Sequence, residues 1–242
     1  MFEGYSANLK FTDMRRQARR CRLFQPLRHN VMNHLVLLGD SILDNGAYTD
    51  GGPAVIAHVQ RLIPEGWRAS LCAVDGSTTD DIHSQLKAVP PGATHLLLSV
   101  GGNNALLRAD VLETPVISSG EALLLLSEAA REFELGYRRA VDACLGLKLP
   151  LVVCTVYHGN FPDANYQQRV AVALTAFNEV IIRVAIEKHL KVIDLRLVCT
   201  SPDHYANPIE PSASGGERVA QSIVNAVTEP VHPLRGAYVF AH

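Results

Sequence analysis

Short, mostly apolar runs alternate with longer segments of helical spacing along most of the chain. The runs are Leu35–Leu38, Ala69–Val74, His95–Val100, Leu149–Val156 and Lys191–Leu195. The segments with helical spacing are Pro53–Ile63, Thr78–Lys87, Gly120–Leu147 and Asn165–Lys188. Continuous apolar runs are typical of strands covered on both faces, and strand–helix alternation is typical of parallel sheets. The pattern therefore predicts a five-stranded parallel sheet in a three-layer α/β/α sandwich.

A last helix is predicted to begin at Ser214, because Glu217 lies three residues later and completes a capping box. Residues 229–242 contain two prolines and show no periodicity, so we expect a C-terminal tail. Residues 32–228 are then one domain of ordinary size. No stretch of the sequence is long and apolar enough to span a membrane.

Charge is distributed unevenly between the first residues and the rest of the chain. Residues 1–30 hold seven basic and two acidic residues, so they carry +5, while the whole chain carries −2 and the remainder −7. We expect residues 1–31 to be a flexible basic N-terminal extension; a basic arm can also bind acidic partners. The total charge gives no indication of binding to nucleic acid.

The polar and sulfur-containing residues give no indication of a metal or cofactor. The five cysteines are scattered and odd in number, which predicts neither a disulfide framework nor a zinc site and fits a cytoplasmic protein. The aspartates match no calcium loop, and the Gly51-Gly52 and Gly101-Gly102 pairs lack the lysine and spacing of a phosphate loop. We therefore expect the protein to act without a cofactor.

Candidate chemistry lies where the first three predicted strands end. The three segments are Gly39-Asp40-Ser41, Val74-Asp75-Gly76-Ser77 and Gly101-Gly102-Asn103-Asn104. Ligands of such sheets bind beyond the carboxyl ends of the strands, so these segments are expected to share one site. A serine there can be a nucleophile, and the Gly76 amide and the Asn103 side chain can stabilise a carbonyl oxygen that becomes negative.

On these three segments, in this order, the chain resembles the SGNH/GDSL hydrolases. The resemblance covers about residues 33–228. It implies a flavodoxin-like strand order 2-1-3-4-5 and an esterase, lipase or acyltransferase activity. It also implies that Ser41 is the nucleophile and that the Ser41 and Gly76 amides with the Asn103 side chain form the oxyanion hole. The third block commonly ends in aspartate, and this chain has Asn104 there.

The fourth block of the family differs in this sequence. The family places Asp-x-x-His just before the last helix, usually with proline next, and here the segment reads Asn207-Pro208-Ile209-Glu210-Pro211. Glu210 therefore stands in place of the histidine, and Asn207 in place of the aspartate.

Three hypotheses about the base follow from this difference. In the first, Glu210 is the base, which requires burial or a like charge to raise its pKa from about 4.3. In the second, a relocated histidine serves. His204 follows Asp203 and can be oriented by Glu210, so it is favoured over His158. In the third, no base exists and the protein binds an ester or acyl group without cleaving it.

The sequence predicts a serine esterase that cleaves a small ester through an acyl-enzyme on Ser41. The alternatives are an acyltransferase and a non-catalytic protein that binds a ligand or partner. Residues 104–120 are expected to shape the pocket, and Leu106, Leu107 and Val111 indicate an apolar lid.

Overall fold

A six-stranded parallel sheet forms the centre of the computed structural model, which describes residues 32–229 and 238–240. The strands are β1 (Asn33–Gly39), β2 (Trp67–Leu71), β3 (His95–Ser99), β4 (Leu151–Cys154), β5 (Lys191–Ile193) and β6 (Tyr238–Phe240). Their order is β2-β1-β3-β4-β5-β6, and every neighbouring pair is parallel. The predicted basic N-terminal extension lies outside the described residues.

The predicted strand count of five was wrong, because β6 lies in the segment predicted to be a tail. Its register with β5 runs from Lys191 beside Tyr238 to Ile193 beside Phe240, and the Asp194 amide donates to the Phe240 carbonyl at 2.8 Å. A three-residue strand at the sheet edge is too short to give a periodic signal, and the prolines before it suggested irregular chain. The first five strands have the order that the family resemblance implied.

Helices cover both faces of the sheet. They are α1 (Val55–Leu62), α2 (Ile82–Leu86), α3 (Gly102–Leu106), α4 (Ser119–Leu145), α5 (Ala164–Lys188), α6 (Leu195–Val198) and α7 (Ala213–Thr228). Short 3-10 turns lie at Gly46–Tyr48, Ala109–Leu112 and Pro202–His204. Val36 and Leu38 of β1 pack in the core layer formed with α4 and α5, while Leu35 and Leu37 pack in the layer formed with α1 and α7. The α/β/α sandwich is therefore confirmed.

The end of β1 is fixed by a close approach between two strands. Gly39 has φ +137°, and a Cβ there would lie 1.8 Å from the Ser99 carbonyl oxygen, so only glycine fits. The Gln85 side chain binds both the N–H and the carbonyl of Gly39, at 2.8 and 2.7 Å. The chain turns immediately afterwards, which leaves Ser41 at the carboxyl edge of the sheet.

The last helix begins earlier than predicted. Ser212, not Ser214, is the N-cap of α7, and its hydroxyl accepts from the Gly215 amide at 3.2 Å. Glu217 instead pairs with Arg61 at 2.5 Å. A Cβ at Gly215 would lie 2.0 Å from the His204 carbonyl oxygen, so the first turn of α7 packs directly on the preceding loop.

Candidate active site

Ser41 begins the turn that follows β1, and only 6% of its surface is exposed. The turn is held by Asp40, whose carbonyl accepts from the Leu43 and Asp44 amides, both at 3.1 Å. The Asp40 carboxylate oxygen Oδ1 accepts from the Ile42 amide at 3.2 Å. Ser41 is thereby fixed in the wall of a mainly apolar pocket.

Asn103 reaches the same pocket from the start of α3. Its Nδ2 donates to the Ser77 carbonyl at 2.9 Å, which fixes the amide and leaves its second proton for a ligand. Gly101, just before α3, has φ +133°, and a Cβ there would lie 2.9 Å from the Phe133 ring. This close packing brings the start of α3 next to the end of β1.

Gly76 lies in the neighbouring turn and is exposed, outside the pocket wall that holds Ser41. It has φ +78° in a turn closed by the Ser77 amide donating to the Val74 carbonyl at 3.2 Å. Asn104 braces this region, because it binds the Thr79 amide and hydroxyl, both at 3.1 Å. Ser41 and Asn103 thus share a pocket. Gly76 does not line it, but Gly76 directly precedes Ser77, whose carbonyl accepts the hydrogen bond from Asn103.

Glu210 is carried into the pocket by a tight loop before α7. Tyr205 and Pro211 form an antiparallel bridge across the loop. The Asn207 side-chain oxygen accepts from the Ile209 and Glu210 amides at 2.9 and 3.0 Å. Asn207 therefore shapes the backbone of this loop rather than orienting the side chain of a base.

Two further side chains join this loop to the rest of the site. Asn45 is fully buried and donates from Nδ2 to the Pro211 carbonyl at 3.2 Å, while its oxygen accepts from the Val55 amide at 2.8 Å. The Tyr157 hydroxyl donates to the Ile209 carbonyl at 2.6 Å. These bonds connect the turn after Ser41 and the loop after β4 to the residues on either side of Glu210.

Glu210 is 5% exposed and lines the same pocket as Ser41. Burial raises the pKa of Glu210 to about 7; the hydrogen bond from Ser41 acts to lower it and the charge of Asp75 to raise it. At neutral pH a large fraction of this carboxyl is ionised, yet it holds a proton far more readily than an ordinary glutamate. These are the properties that a base for Ser41 needs.

Asp40 is a second buried carboxyl of the site that the sequence did not single out as functional. Burial raises the pKa of Asp40 from 3.8 to about 7, and the negative charge of Glu210 adds to this shift. Its Oδ2 is buried without a hydrogen-bond partner in the described residues. The family motif drew attention to its neighbour Ser41. The free-energy cost of ionising Asp40 depends on its burial, which only the fold reveals.

Replacing Asp40 with asparagine is expected to change how stability depends on pH. Because its pKa is raised from 3.8 to about 7, the penalty for ionising Asp40 is absent below pH 3.8, grows as pH rises, and is complete above pH 7. From pH 5 to pH 8, the unfolding free energy of the native protein should fall by about 3 kcal/mol relative to Asp40→Asn. Urea unfolding at both pH values measures this difference.

Asp80→Asn, which alters an exposed carboxylate paired with Arg139, is the matched control. An equal stability difference between Asp40→Asn and the native protein at both pH values would contradict the assignment of a raised pKa to Asp40.

His204 is not brought to the pocket, so the structure does not support it as the base. The residue is buried, and its Nδ1 accepts from the Thr200 and Ser201 amides, both at 3.2 Å. It closes the 3-10 turn Pro202–His204 through these bonds and does not line the pocket. The bridged loop that follows His204 instead places Glu210, six residues on, in the wall of the pocket that Ser41 lines.

His158 does line the pocket, at the end of the segment that follows β4. The ring is partly buried, and its Nε2 has no hydrogen-bond partner in the described residues. Burial lowers the pKa of His158, and the charge of Arg196 lowers it further. Both effects favour the neutral imidazole, which forms part of the pocket wall.

An apolar arm extends the pocket away from Ser41, between α3, the turn Ala109–Leu112, α4 and α5. It is lined by Leu106, Val111, Leu112, Leu126, Ala129, Val170, Ala173, Leu174 and Phe177. The pocket has a cavity volume of about 90 Å³ and opens to solvent. Leu106 and Val111 line it as expected, whereas Leu107 does not and is 71% exposed. The sequence could not show that Val170, Leu174 and Phe177 face a pocket. Apolar residues recur every three or four positions on a helix whether that face packs in the core or lines a pocket.

The described part of the chain contains no group of three or more His, Cys, Asp or Glu side chains placed to hold a metal ion. No helix within residues 32–229 is long and apolar enough to cross a membrane.

A family model, described as the GDSL-like Lipase/Acylhydrolase family, matches residues 37–233. This match spans most of the chain and all the segments that form the pocket. The chain belongs to the GDSL-like lipase/acylhydrolase family. A search of curated proteins found no match.

Several solved structures have the same GDSL fold at low sequence identity. An extracellular lipase from Streptomyces rimosus is 19% identical with a TM-score of 0.61, over 81% of this chain and 100% of that one. A phospholipase A1 from Streptomyces albidoflavus is 16% identical with a TM-score of 0.61, over 82% and 100%. Est24, a carbohydrate acetylesterase from Sinorhizobium meliloti, is 13% identical with a TM-score of 0.55, over 81% and 98%. At this identity the similarity establishes the fold and not the substrate.

Proposed function

We propose that this protein is a serine esterase that hydrolyses a small ester through an acyl-enzyme on Ser41, with Glu210 as the base. The observation that carries the proposal is the buried Glu210 carboxyl beside the Ser41 hydroxyl, with its pKa raised to about 7. An ordinary glutamate is too weak a base for a serine, and burial removes most of that difference. The family places a histidine at the position where this chain has Glu210, and the glutamate takes over its task.

In the first half of the reaction, Ser41 Oγ attacks the carbonyl carbon of the ester and its proton passes to Glu210. The carbonyl oxygen becomes negative and is stabilised by the Ser41 amide and by the free proton of Asn103 Nδ2. The bond to the alcohol oxygen then breaks, and Glu210 returns the proton to that oxygen. This leaves an acyl group on Ser41 and a free alcohol.

In the second half, Glu210 accepts a proton from a water molecule that attacks the acyl-enzyme. The tetrahedral intermediate collapses, Ser41 Oγ regains the proton, and the carboxylic acid leaves. The His158 ring and the Tyr157 side chain line the same pocket.

The apolar arm supports an acyl group of several carbons as the part of the substrate that enters it. Hydrolysis of a series of p-nitrophenyl esters from acetate to decanoate, without added metal, tests the proposal and maps the arm at the same time. If the protein cleaves none of these esters, the proposed function is wrong.

Filling the arm should shorten the preferred acyl chain. Ala173 lines the arm from α5, and Ala173→Phe puts a ring into that space. Relative to the native protein, kcat/KM for the longest accepted ester should fall about tenfold or more, since each excluded methylene forfeits about 0.8 kcal/mol, while the acetate ester changes little. Val172→Phe, at a neighbouring position that is 66% exposed, is the control. A parallel loss for all chain lengths would contradict this assignment of the arm.

We also propose a cytoplasmic location. Its support is that the four cysteines of the described residues, Cys72, Cys144, Cys154 and Cys199, are all free thiols, as is usual in a reducing compartment. Burial raises the pKa of each of these thiols.

A further inference from the structure

Four carboxyl groups lie on the loops after β1 and β2 and on the loop before α7. Asp40 and Glu210 are the buried pair that lines the pocket. Asp44 and Asp75 lie further out, where the Asp75 amide donates to Asp44 Oδ2 at 3.1 Å. The Tyr48 hydroxyl donates to Asp75 Oδ2 at 2.7 Å. We refer to Asp40, Asp44, Asp75 and Glu210 as the acidic cluster.

The acidic cluster has no basic partner among the described residues. None of the ion pairs found in residues 32–229 involves any of its four members. Arg108, the single Lys or Arg lining the described pocket, is engaged by Asp110 at 3.4 Å and Glu132 at 2.8 Å. No Lys or Arg of the described residues therefore forms an ion pair with the cluster.

Two oxygens of the cluster also lack hydrogen-bond donors. Asp40 Oδ2 and Glu210 Oε2 are buried without a partner in the described residues, on side chains that are 1% and 5% exposed. A buried carboxylate oxygen without a donor is costly, and a ligand that brings a positive charge relieves that cost. The residues Asp40 and Glu210 line the same pocket as Ser41, so the ligand in question is the one that Ser41 attacks.

The members of the cluster lie close enough to sense one another's charge. The charge of Asp75 raises the pKa of both Asp40 and Glu210. The charges of Glu210 and Asp44 in turn raise the pKa of Tyr48. Hydrogen bonds join the same segments, since the Asp44 amide donates to the Asp40 carbonyl and the Asp75 amide donates to Asp44 Oδ2, both at 3.1 Å.

We infer that the alcohol part of the natural ester carries an organic cation, such as an ammonium group, that lies against the acidic cluster. The inference rests on the proposed function and specifies its leaving group. The acyl part occupies the apolar arm between α4 and α5, which leaves the alcohol part on the side of Asp44 and Asp75. The cluster does not have the ligand arrangement of a metal site in the described residues, which favours an organic cation.

Two esters of the same shape and different charge test this inference. Butanoylcholine and 3,3-dimethylbutyl butanoate share the acyl group and differ in a quaternary nitrogen in place of a carbon. The kcat/KM of the native protein should be about tenfold higher for butanoylcholine in low salt, and the ratio should fall in 0.5 M salt because ions screen exposed charges.

Asp75→Asn keeps an acceptor for the Tyr48 hydroxyl and removes one charge of the cluster. It should lower the choline-to-dimethylbutyl ratio to about three or less. Asp80→Asn removes an exposed carboxylate outside the pocket and should keep the native ratio. A loss of both activities in the same proportion on Asp75→Asn would contradict a direct charge effect.

Binding to a Ser41→Ala variant separates the inference from the proposed function. Calorimetry with this variant should show tighter binding of butanoylcholine than of its neutral isostere by about the same factor. Equal binding or a preference for the neutral ester overturns the inference, even if the native protein cleaves both esters. If the native protein cleaves no ester while the variant still prefers the cation, the proposed function fails and the cation site stands.

Discussion

Replacing Ser41 with alanine is expected to lower kcat/KM for short-chain p-nitrophenyl esters by about 10⁴-fold or more, because no acyl-enzyme can form without the hydroxyl. Ser41 lies in a small buried turn held by backbone bonds to Asp40, so the loss of one oxygen should leave the thermal midpoint close to that of the native protein. Initial rates and circular dichroism melts of both proteins measure these two effects.

Ser84→Ala is the matched control, since Ser84 is exposed on α2. A fluorophosphonate probe should label the native protein and Ser84→Ala at equal rates and should not label Ser41→Ala. Native activity in Ser41→Ala would contradict the proposal that Ser41 is the nucleophile. A native protein that is never labelled would favour the alternative of a binding protein without turnover.

The second large effect is expected for Glu210→Gln, which keeps the size and polarity of the side chain and removes its ability to accept a proton. We expect kcat/KM to fall by about 10³-fold or more. The remaining activity should have lost the pH dependence that a base with a pKa of about 7 confers on the native protein. The measurement is a set of kcat/KM values for both proteins between pH 5 and pH 9.

Glu217→Gln, which alters an exposed glutamate paired with Arg61, serves as the control for a lost carboxylate. His158→Gln and His204→Gln test the competing hypotheses for the base. His204→Gln should lower the thermal midpoint, since the ring accepts two backbone amides, and should lower kcat/KM far less than Glu210→Gln does. A collapse of activity in either histidine variant, with Glu210→Gln still active, would contradict the assignment.

The sequence predicted the parts of the site that depend on strand ends. Gly39, Ser41 and Asn103 follow apolar runs, and the rule that parallel strands end at one edge brings them together. It also predicted the sandwich and five of its strands. It could not predict β6, because three residues carry no periodicity and their pairing with β5 is a long-range contact.

The sequence could not show which residue before α7 lines the pocket with Ser41, because burial and loop direction determine this. Glu210 and His204 both lie in a polar segment before α7, and no local pattern shows which one faces Ser41. Two contacts that are distant in sequence decide it: the Asn45 side chain with the Pro211 carbonyl and the Tyr157 hydroxyl with the Ile209 carbonyl. The raised pKa values of Asp40 and Glu210 arise only once these segments pack together.

The clustering of acidic side chains near Ser41 could not be predicted from the sequence either. Asp40, Asp44 and Asp75 each resemble an ordinary turn aspartate when read in the chain, and the total charge of −2 gave no sign that they form one cluster. Their convergence follows from the order of strands, which places the loops after β1 and β2 side by side.

The central claim is that the Glu210 carboxylate activates Ser41, and the rate of Ser41 phosphonylation as a function of pH tests it most directly. A fluorophosphonate probe reports this single step without deacylation or product release. The account predicts that the rate for the native protein rises with pH through about 7, and that Glu210→Gln reacts slowly and at the same rate from pH 5 to pH 8. A Glu210→Gln variant that is labelled at the native rate, with the native pH dependence, would contradict it.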